Sequence, residues 1–93
     1  MSLQTDFERI KEFDDSVTDM LHRNSYSEEQ SNKIIRLIHI NNYLQILYSF
    51  GTDTLNLLME YFLYVEEYNQ CARIRDCVNN YNKDTGNQIT LNV

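Results

Sequence analysis

Apolar side chains in the first quarter of the chain fall at Leu3, Phe7, Ile10, Phe13 and Val17, then at Met20 and Leu21. Steps of three and four residues place them on one face of a helix. Asp6, Glu8, Glu12, Asp14, Asp15 and Asp19 fill positions between them, and acids early in a helix suit the positive end of its dipole. The pattern stops at Asn24-Ser25-Tyr26. Ser27-Glu28-Glu29-Gln30 then reads as a capping box, in which the serine oxygen accepts from the glutamine amide and the glutamine side chain reaches back.

From Ser27 to Phe50 nothing breaks a helix, and the pattern predicts a single long element. The run Lys33-Ile34-Ile35-Arg36-Leu37-Ile38-His39-Ile40 has strand propensity, but the cap and the continuation through Tyr43, Leu44, Ile46, Leu47 and Phe50 favour helix. On a helical wheel these residues leave almost no polar sector, the mark of a helix buried on several sides. Asn41 and Asn42 sit in its middle and, if buried, need hydrogen-bond partners.

Gly51 is the natural stop, and Thr52-Asp53-Thr54 offers a cap for the next helix. That helix carries two apolar rows: Leu55, Leu58, Met59, Phe62 and Val65, and beside them Leu57, Tyr61 and Tyr64. A turn near residues 65–68 leads into a further stripe of Cys71, Ile74, Val78 and Tyr81, which ends within Asn79–Gly86. Gln88-Ile89-Thr90-Leu91-Asn92-Val93 alternates like a short strand without a partner. The expected architecture is all-α: one helical domain over residues 1–86, a bundle of three to four helices with a C-terminal helical hairpin, and an extended or frayed tail at 87–93.

Composition narrows the field. A chain of 93 residues without proline or tryptophan, with two glycines and one alanine (Ala72), fits neither collagen-like nor disulfide-scaffold classes. Gly51 and Gly86 are too far apart for a phosphate-binding loop. The formal charge of −6 argues against nucleic acid or an anionic membrane as direct partner. No apolar run reaches the length of a membrane span, and the first residues lack the basic-then-apolar order of a signal peptide. Cys71 and Cys77, six apart on one helix, read as reduced thiols of a cytoplasmic protein.

Residues 67–78, Glu67-Tyr68-Asn69-Gln70-Cys71-Ala72-Arg73-Ile74-Arg75-Asp76-Cys77-Val78, resemble the UVR motif, the short helical hairpin at the interacting ends of the UvrB and UvrC excision-repair proteins. Tyr68 stands for the motif's aromatic, Cys71 and Ala72 for its small pair, Ile74 for its leucine, Arg75-Asp76 for its dipeptide and Val78 for its isoleucine. Asn69 departs from the usual acid, and Tyr61, Phe62 and Tyr64 make the first arm bulkier. The same stretch is also similar to half of a tetratricopeptide unit. The resemblance implies a protein–protein docking element and no chemistry.

Candidate chemistry is sparse. His22 and His39 lie in separate elements without neighbouring cysteines, so they do not form a metal site by spacing. Ser16, Ser25, Ser49, Cys71 and Cys77 have no activating context. No catalytic residue, cofactor or metal is expected. Seven tyrosines are many for this length, and tyrosine suits interfaces because it buries area while keeping a polar tip. Leu57, Tyr61, Tyr64 and Tyr68 form the expected partner-binding surface, with Arg73 and Arg75 at its rim. The expected function is a non-enzymatic interaction module, an adaptor or regulator that binds another protein and itself as a homo-oligomer. Two other readings remain: an acidic phage or mobile-element inhibitor mimicking nucleic acid through the first helix, and an oligomeric small-molecule binder.

Overall fold

A computed structural model describes residues 3–92, with the side chains of residues 3–6, Leu3 and Asp6 of the predicted first helix among them, outside the described part, as is Val93 of the predicted tail. The described residues form five helices in order: α1 (Leu3–Arg23), α2 (Glu28–His39), α3 (Tyr43–Phe50), α4 (Thr52–Tyr64) and α5 (Tyr68–Thr85). No strand occurs among the described residues. The chain divides into two compact units, Met1–Arg36 and Leu37–Val93.

In the first unit, Val17, Met20 and Leu21 of α1 and Ile34 and Ile35 of α2 are buried. The predicted apolar face of α1 is therefore covered only in its second half, because Phe7 and Ile10 are exposed. The capping box forms as expected. The Gln30 amide donates to Ser27 Oγ at 3.1 Å, and the Ser27 amide donates to Gln30 Oε1 at 2.9 Å.

In the second unit, α3, α4 and α5 each lie against the other two. Their core is Tyr43, Ile46 and Leu47 from α3, Leu55, Leu58, Met59 and Phe62 from α4, and Cys71, Ile74 and Val78 from α5. The inner row of α4 and the stripe of α5 match the sequence pattern, apart from the exposed Val65 and half-buried Tyr81. Fully burying a leucine or phenylalanine of this kind stabilises by about 1.5–3 kcal/mol.

The single helix expected over Ser27–Phe50 is two, which raises the helix count above the three to four predicted. The break comes at Asn41, in the left-handed region at φ 60°. The Asn42 amide donates to the Leu37 carbonyl at 2.8 Å and the Asn41 amide to that of Ile38 at 3.0 Å. This paired arrangement closes a helix by reaching back past its last turn. Asn42 then caps α3, its Oδ1 accepting from the Gln45 amide at 3.1 Å. The two asparagines thus end one helix and start the next. The restart also resets the phase of the pattern. The apparently all-round apolar helix was the superposition of two ordinary amphipathic ones.

The same closure ends α1 at Ser25 (φ 71°), with Tyr26 bonded to Leu21 and Ser25 to His22. It ends α4 at Glu66 (φ 63°), with Glu67 bonded to Phe62 and Glu66 to Leu63. Left-handed backbone usually selects glycine, yet three helices here stop on serine, asparagine and glutamate. Gly51 separates α3 and α4 as predicted, but Thr52–Thr54 provide no side-chain cap; Thr54 Oγ1 instead donates to the Phe50 carbonyl at 3.3 Å. Gly86 closes α5 at φ 75°. The tail beyond it is irregular and tied to the helices by side-chain amides.

Candidate functional site

The turn between α4 and α5 brings the outward-facing tyrosines to one end of the hairpin. Tyr64 is the last residue of α4 and Tyr68 the first of α5, with only 65–67 between them. They are 86% and 61% exposed, and Leu63 and Val65 beside them are 40% and 39% exposed. This tip is held by the amides of Glu66 and Glu67, so the aromatic side chains project from a closed turn rather than a loose loop.

The remaining predicted residues are dispersed. Leu57 and Tyr61 are half-buried on α4, and the Tyr61 ring lies tilted against that of Phe62, centroids 5.8 Å apart. Arg75 follows Tyr68 by seven residues, two turns along the same side of α5 and about 10 Å away. Arg73 is exposed on another side of that helix, where it lines a recess with Tyr43 and Asp76. The tip therefore unites Tyr64 and Tyr68, with Arg75 two turns away on the side of Tyr68 and Arg73 on another side.

A second concave feature runs between α3 and α5. Leu44, Tyr48, Cys77, Asn80, Tyr81, Asp84 and Thr85 line a groove of about 210 Å³. Leu44, Cys77 and Asn80 also border the recess of about 280 Å³ that contains Arg73. Tyr48 and Tyr81 meet edge to face with ring centroids 6.0 Å apart. The groove lies between α3 and α5, so it depends on how two helices meet, and no pattern within either one announces it.

Tyrosine thus serves two purposes. Tyr43 is buried and its hydroxyl donates to Gln70 Oε1 at 2.5 Å, which joins α3 to α5. Burial pushes its phenol above the ordinary value, and the Arg73 charge pulls the other way. Tyr48, Tyr64 and Tyr68 are exposed. The cysteines are free thiols pushed upward chiefly by burial, the opposite of what an activated nucleophile needs. Among the described residues, no three His, Cys, Asp or Glu side chains are gathered to hold a metal ion. Among the same residues, no helix is long and apolar enough to cross a membrane.

No known protein family matches the chain, and neither a characterised protein nor a solved structure does. The functional reading therefore rests on the chain's own geometry.

Proposed function

We propose that this chain is a non-enzymatic docking module that binds another protein, a second copy of itself included, through the aromatic tip of the α4–α5 hairpin. The observation that carries the reading is the exposure of Leu63, Tyr64, Val65 and Tyr68 within six residues on a hydrogen-bonded turn. Tyrosines on a fixed backbone lose little entropy on binding and are frequent interface anchors. Arg75 extends the same side with a charge suited to a polar rim. The UVR resemblance over 67–78 points the same way. Its small and apolar positions Cys71, Ile74 and Val78 are buried, which leaves Tyr68 outward.

Size-exclusion chromatography with light scattering tests the self-association. The chain should run heavier than 11.1 kDa at high concentration, and Tyr64→Ser with Tyr68→Ser should return it to monomer with unchanged helicity. Loss of one interface anchor costs about 2 kcal/mol, so the double variant should weaken association by well over tenfold. A strictly monomeric wild-type chain, or an unaffected double variant, refutes the tip as the self-docking surface. Neutralising Glu8, Glu12, Asp15 and Asp19 to Gln or Asn separates this reading from nucleic-acid mimicry. Partner binding should survive that change.

A further inference from the structure

The tail offers a surface independent of the tyrosine tip. Asn82, near the end of α5, turns its side-chain amide toward residue 89. Its Nδ2 donates to the Ile89 carbonyl at 2.8 Å, and its Oδ1 accepts from the Ile89 amide at 2.9 Å. One carboxamide thereby satisfies both main-chain groups of a single residue, as a neighbouring β-strand does. On α4, Asn56 Oδ1 accepts from the Asn92 amide at 2.9 Å. Between these anchors burial alternates: Ile89 and Leu91 are half-buried, whereas Gln88, Thr90 and Asn92 are exposed. Alternation of this kind is the period of an extended chain.

We propose that the α4–α5 face carrying Asn56 and Asn82 is a receptor for an extended segment of a partner protein with two aliphatic side chains two residues apart. Residues 87–92 occupy it in cis as a built-in competitor. Both asparagines engage main-chain atoms only, so any segment of that pattern makes the same bonds, and the positions matching Ile89 and Leu91 set selectivity. Release of the tail requires no change in the helices' cores. Gly86, exposed and with nothing within 4 Å of its Cβ position, supplies the swivel. A tethered occupant works at an effective concentration of about a millimolar, so a partner segment must outcompete it.

The test uses the full chain and a fluorescein-labelled peptide with the sequence of residues 87–93, read by fluorescence polarisation. Wild-type chain should bind the peptide weakly, because its own tail is in place. Ile89→Asp with Leu91→Asp in the full chain releases the tail and should tighten peptide binding by roughly tenfold or more. Adding Asn82→Ala should abolish that gain. Asn56→Ala, on a different helix, should do the same if Asn82→Ala disturbs the end of α5. Circular dichroism at 222 nm checks that each variant keeps its helices. Peptide binding that is no tighter in the released chain, or that survives both asparagine substitutions, overturns the proposal.

Discussion

Glu66→Gly should make the chain more stable although it removes an entire exposed side chain. Glu66 closes α4 at φ 63°, where a Cβ crowds the following carbonyl at a cost of about 1–2 kcal/mol. Glycine removes that crowding but loses more backbone freedom on folding, which returns about 0.5–1 kcal/mol. The net gain is about 0.5–1 kcal/mol, or roughly 2–8 °C in Tm for a domain of this length. Ser25→Gly should give a similar increment, additive because its closing bonds go to Leu21 and His22 rather than to Phe62 and Leu63. Asn41→Gly should gain less, since asparagine tolerates this region. Glycine to alanine must carry the opposite sign. Gly51→Ala and Gly86→Ala should both destabilise, although no atom lies within 4 Å of either Cβ position, because their φ values are 90° and 75°. Urea unfolding followed at 222 nm measures all of these. Glu66→Ala is the control, since alanine keeps the Cβ and its strain while removing the rest of the side chain and its charge. The reasoning fails if Glu66→Gly is no more stable than Glu66→Ala.

Two further stability predictions follow from buried polar groups. Ser31 is fully buried and its hydroxyl has no hydrogen-bond partner, so Ser31→Ala should raise the urea midpoint by the equivalent of about 1 kcal/mol; a loss would mean that the hydroxyl is satisfied in solution. Tyr43→Phe breaks the bond to Gln70 and should cost about 1 kcal/mol at neutral pH. The folded Tyr43 phenol is raised above its ordinary value of 10.0, so its contribution is complete below that pH and is lost as pH climbs toward the folded value. Tyr43→Phe should flatten that alkaline decline but leave the part due to the raised thiols Cys71 and Cys77, which begins near 9.0.

The elements that could be read from the sequence are those whose signals are chemical and local. Ser27 and Gln30 announce a helix start by their side chains, Gly51 and Gly86 announce stops, and the three- and four-residue steps at Leu55–Phe62 and Cys71–Val78 name the faces that are buried. The missed boundary at Asn41 is made by main-chain bonds to Leu37 and Ile38. Only the left-handed torsion marks such a boundary, and asparagine favours that torsion too weakly to stand out among ordinary helix residues. Glu66-Glu67-Tyr68-Asn69 interrupts the apolar row and so marks a turn near residues 65–68, although glutamate does not favour the backbone found there. Tyr64 is exposed, in keeping with its place in the outer row of α4, whereas Leu57 and Tyr61 of that row are half-buried against their neighbours. The groove of Leu44, Tyr48 and Tyr81 and the tail's attachment to Asn56 were not legible. Each depends on which helices meet, and no periodicity within one helix encodes that.

Gly51 is the whole joint between two helices, the C-cap of α3 and the N-cap of α4 at once. A single pair of torsions, φ 90° and ψ 176°, therefore sets the direction in which one rod leaves the other. Loops between helices ordinarily absorb insertions, but this one has no slack to take them up. One extra helical residue between Leu47 and Gly51 would rotate the body of α3 by about 100° relative to α4. Ile46 and Leu47 would swing off the core, and the Tyr43 hydroxyl would leave Gln70. The joint behaves as a keyed coupling: the length of α3 is fixed to the residue, as tightly as its composition.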